Sequence, residues 1–100
     1  MTEKQKQEKF EKNLKWLNEL MKEEELTKGN LELAKKNLAD VEEDIENLPW
    51  LASAYNVDEK QMEDLKKEFE EEVRFQTFWL NVTQFQISCL KYLLGFPADA

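Results

Sequence analysis

The side chains best placed to do chemistry in this 100-residue chain are carboxylates. Asp40, Glu43 and Asp44 are spaced three and four residues apart, so a helix sets them on one face. They would hold a divalent cation only weakly there, because no glycine-bearing calcium loop accompanies them. The runs Glu23, Glu24, Glu25 and Glu70–Glu72 read as solvated helix faces. The chain has no histidine. That removes the imidazole base of the common serine and cysteine nucleophile systems, most zinc sites, and the Glu-x-x-His pairs of di-iron bundles. Gly29 and Gly95 are its only glycines, too few for a phosphate-cradling loop. Cys89 is the single cysteine, so no intramolecular disulfide forms. With only Lys91 close by in sequence to stabilise a thiolate, Cys89 reads as a small hydrophobe. The expectation is a protein that is not an enzyme and needs neither cofactor nor metal.

Charge narrows the partners. The formal net charge of −8 is unevenly spread: residues 1–22 sum to +2, residues 23–72 to −11 and residues 73–100 to +1. Nucleic-acid backbones and anionic membranes both need clustered Lys or Arg, so direct binding to either is disfavoured. The N-terminus lacks the apolar run of a signal peptide, and the expected location is cytoplasmic. The acidic middle supports another reading, in which Glu23, Glu24, Glu25, Asp40, Glu43 and Asp44 stand in for phosphates. The protein would then be an inhibitor occupying a basic, nucleic-acid-binding surface of a target.

Against 36% charged residues overall, the 16 residues from Phe75 to Leu90 carry no charge at all. They are too few and too polar to span a bilayer. On a helical wheel the stretch from Val73 to Phe96 has two apolar sides. A narrow one holds Val73, Leu80, Ile87 and Leu94 at heptad spacing. A broad one holds Phe75, Phe78, Trp79, Val82, Phe85, Cys89, Leu93 and Phe96, with Gln86 set among them. One short chain covers one such side, and a second copy would cover the other. Gln86 would then be a buried polar residue fixing register across the dimer axis.

The elements that position these residues are helices. An apolar ladder with alternating steps of three and four runs through Phe10, Leu17, Leu20, Leu31, Ala34, Leu38, Val41, Ile45 and Leu48, with a polar interruption at Glu24 and Thr27. Its phase passes through Gly29 unshifted, which favours one helix over about 3–47. The alternative is a three-helix bundle broken at Gly29 and capped by Asn30. Pro49 ends the ladder, and Trp50, Leu51, Ala52, Ala54 and Tyr55 are expected to form one plugging turn. Asp58 and Gln61 read as a capping box, with Val57 and Met62 as its hydrophobic staple. The second helix, about 59–94, carries a seam of Met62, Leu65, Phe69, Val73, Leu80, Ile87 and Leu94, and stops at Gly95.

Folding back between the helices sets residues opposite when their numbers sum to roughly 106, in the antiparallel manner of paired amphipathic helices. Val41 then faces Leu65, and Leu20 and Met21 face Phe85. Lys35 and Lys36 come opposite Glu70–Glu72. The fold expected is all-α: a single domain over 1–100, a long antiparallel hairpin that dimerises through its Phe75–Phe96 end into a four-helix bundle. The function expected is a protein–protein interaction module whose partners are itself and another protein.

Overall fold

The computed structural model describes residues 1–50 and 58–96, all of them in helices, turns or short irregular ends. Two long helices pack together as a hairpin: α1, Glu3–Glu46, and α2, Glu59–Leu93. α1 runs unbroken through Gly29, so the three-helix alternative is set aside. The expected staple at Val57 and the turn beyond Trp50 lie outside the described residues, as does the tail after Phe96.

Each helix end has a local cause. Thr2 Oγ1 accepts from the Gln5 N–H at 3.2 Å while Gln5 Oε1 accepts from the Thr2 N–H at 2.9 Å, a complete capping box. At the other end of α1 the Glu43 carbonyl accepts twice from Asn47, from its backbone N–H at 3.2 Å and from its side-chain amide at 2.9 Å, which ties down the last turn. Leu48–Trp50 are helical again. Pro49 therefore sits in a first turn, where its missing N–H costs nothing, rather than forcing Leu48 out of helical geometry. Asp58 caps α2 by accepting from the Lys60 N–H at 3.0 Å. The stop at Gly95 is a Schellman motif: Phe96 N–H donates to the Lys91 carbonyl at 2.9 Å and Gly95 N–H to that of Tyr92 at 3.1 Å, with Gly95 at φ +80°.

Both helices contribute to two compact units. Unit 1 comprises Met1–Thr27 and Trp79–Ala100. Its core joins Leu17 and Leu20 of α1 to Ile87 and Leu90 of α2, with Leu94 packed against them. Unit 2 comprises Lys28–Phe78. There Leu31, Ala34 and Val41 are buried on α1, while Met62, Phe69 and Val73 are half-buried on α2. A groove in this unit is lined by Asn30, Ala34 and Asn37 on one side and Phe69, Glu72 and Gln76 on the other, which matches the antiparallel register expected.

The seam itself needs correcting. The seam runs Met62, Lys66, Phe69, Val73, Gln76, Leu80, Thr83, Ile87, Leu90 and, just past the helix, Leu94, an alternation of four and three; Glu70, Val82, Gln84 and Lys91 beside it are also half-buried. Leu65, expected on it, is 36% exposed because the alternation selects Lys66 instead. The Lys66 stem covers apolar surface and its ammonium reaches Glu70, 4.0 Å away. Leu20 is in the core with Ile87 and Leu90, so it does not face Phe85, and Met21 is itself about half exposed. Phe10, the first rung of the ladder, is only about half covered.

Candidate docking surface

In the C-terminal part of α2 a second stripe lies one residue before each seam position, which rotates it by about 100° around the helix. In unit 1 this stripe is Trp79, Val82, Gln86, Cys89 and Leu93, itself spaced three and four residues apart; Phe96, expected with them, lies past the helix end at Gly95 and is also exposed. Val82 is half-buried and the other four are exposed. Phe85 and Tyr92, seven residues apart, extend it outward at 70% and 83% exposure, and Leu93 matches Phe85 at 70%. None of these side chains is charged. The rest of the helix surface is polar: Asn81, Gln84, Ser88 and Lys91.

Two other residues expected on this surface, Phe75 and Phe78, belong to unit 2, where both are exposed. Tyr92 was not expected on the surface at all, although its seven-residue spacing from Phe85 was the available signal. Trp16 of α1 immediately precedes core residue Leu17, as Gln86 precedes Ile87. In an antiparallel pair these like-placed flanks lie on the same side, so Trp16 borders the stripe. It is half-exposed beside a shallow groove lined by Lys9, Lys12, Asn13 and Glu19.

The acidic candidates divide between the two units. Glu23, Glu24 and Glu25 are in unit 1, with Glu24 half-buried; Asp40, Glu43 and Asp44 are exposed in unit 2. Among the described residues no group of three His, Cys, Asp or Glu side chains could hold a metal ion. Among the same residues, no helix is long and apolar enough to cross a membrane. What this surface offers chemically is apolar contact area with one amide, Gln86, and one thiol, Cys89, within it.

No family model, curated protein or solved structure matches the chain. The functional reading therefore rests on its own residues.

Proposed function

We propose that the protein is a non-enzymatic protein–protein interaction module that docks helices on the exposed stripe of unit 1, and that two hairpins assemble there into a four-helix bundle. The observation carrying this reading is the exposure of uncharged Trp79, Phe85 and Leu93 on a helix whose core side is already covered by α1. Fully burying a side chain of this size contributes about 1.5–3 kcal/mol, so the stripe as a whole must be covered to offset the roughly 4–15 kcal/mol that association costs. A stripe with alternating three- and four-residue spacing matches a partner helix crossing at a shallow angle.

Leu93→Asp tests the reading. Leu93 is largely exposed in the single chain, so helical content should be unchanged while association is lost. Differently tagged wild-type copies and cellular proteins are offered to wild-type and Leu93→Asp baits. Retention that vanishes with the substitution supports docking on the stripe; identical retention by both baits overturns it.

A second reading draws on unit 2, where seven Lys and Arg face fourteen Asp and Glu, a net of −7. As an acidic inhibitor, the protein would present this unit to a basic, nucleic-acid-binding surface of a target.

A further inference from the structure

Two hairpins can meet on the stripe in several registers. We infer that the same stripe of the second copy docks there antiparallel, about a two-fold axis that passes between residues 86 and 89. This inference rests on the docking reading and deepens it.

Charge selects the end at which two copies meet. The described part of unit 1 has seven Lys against seven Glu, a net of zero, whereas unit 2 has a net of −7. Two copies meeting through unit 2 would bring like charge together; through unit 1 they do not. The stripe has no charged residue, so its copy buries none.

Gln86 then selects the register. It is the one amide in the stripe and stands at its middle. Buried against an apolar helix, its carbonyl and NH₂ would lose their water partners, at about 1–3 kcal/mol per unsatisfied group. A primary amide is complementary to itself, with a carbonyl acceptor and two N–H donors. An axis between 86 and 89 places the two Gln86 side chains about 4.5 Å apart along the helix direction, from a rise of 1.5 Å per residue. That is within reach of two flexible side chains. The same axis sets Gln86 opposite Cys89 of the second copy and Val82 opposite Leu93. Each layer thus pairs apolar with apolar, or amide with thiol.

Paired charge variants at residue 86 test the inference by sedimentation velocity at low ionic strength. Gln86 is exposed in the single chain, so both variants should fold, as circular dichroism will verify. The wild-type protein should sediment at twice the 12.0 kDa chain mass. Gln86→Lys alone and Gln86→Glu alone should dimerise at least 10-fold more weakly. Their equimolar mixture should recover the dimer, because the axis brings Lys beside Glu. A mixture no better than either variant alone overturns the two-fold contact. A wild-type protein that stays monomeric at every concentration also overturns it. If that monomer still retains another protein in a Leu93-dependent way, docking on the stripe stands and the four-helix assembly falls; if it does not, both fall.

Discussion

Ile87 and Phe85 are two residues apart on α2, yet they should respond oppositely to truncation. Ile87 is 6% exposed and belongs to the core of unit 1. Ile→Ala in a core costs about 2–5 kcal/mol depending on how far the site collapses. This core is small and close to solvent, which places Ile87→Ala near the lower end, at about 2–3 kcal/mol. Phe85 is 70% exposed. It keeps under a third of the coverage that makes a buried Phe→Ala cost about 3–5 kcal/mol, so about 1 kcal/mol is at stake. Ala regains roughly half of that through helix propensity. Phe85→Ala should therefore fall within about 0.5 kcal/mol of wild type, while Ile87→Ala lowers Tm by about 10 °C or more. Urea unfolding followed by helical circular dichroism, at several protein concentrations, separates folding from any assembly. If Phe85→Ala costs as much as Ile87→Ala at the lowest concentration, the flank is needed by the single chain and is not a docking surface.

The two glycines give a pair of opposite outcomes. Gly29 is inside α1, and an added Cβ would meet nothing within 4 Å; Gly29→Ala should raise stability by about 0.5–1 kcal/mol. Gly95 has equal space but φ +80°, and Gly95→Ala should lower stability by about 1–2 kcal/mol in the same unfolding assay. For the acidic reading, affinity for a basic target should fall steeply as ionic strength rises; affinity unchanged between low and high salt, measured by titration calorimetry, removes that reading.

The unbroken α1, the antiparallel register and the Gly95 stop were legible in the sequence because each rests on a local pattern: a phase kept through Gly29, opposed heptads, and a Gly followed by Pro97. The full seam was not. Gln76, Thr83 and Lys66 occupy seam positions with polar side chains, so a search for apolar residues skips them and accepts Leu65 as the nearer match. Leu90 failed differently: as i+3 of Ile87 it completes the alternation, but a strict seven-residue count passes over it. The capping box at Thr2 and Gln5 carries its full signature, Thr-x-x-Gln, and needed only to be looked for at the start of the chain.

The two parts of α2 differ in what they place beside the seam. In unit 2 the positions one residue before the seam are Gln61, Leu65, Glu68, Glu72 and Phe75, and all five are exposed. Pairing with α1 there proceeds with polar Gln61, Glu68 and Glu72 on the flank, so the hairpin does not require a continuous apolar flank in order to form. In unit 1 the equivalent positions become Trp79, Val82, Gln86, Cys89 and Leu93. Exposed apolar side chains gain nothing from water, and in a lone hairpin polar residues would serve that flank better. The change therefore calls for a cause outside the fold of a single chain, and a partner helix lying along the flank supplies one. The lone amide at Gln86 sharpens the point: such a residue in an apolar seam lowers stability but rejects partners that cannot satisfy it. A stripe meant only to be sticky would have Leu there, so Gln86→Leu should hold or strengthen association while loosening its register.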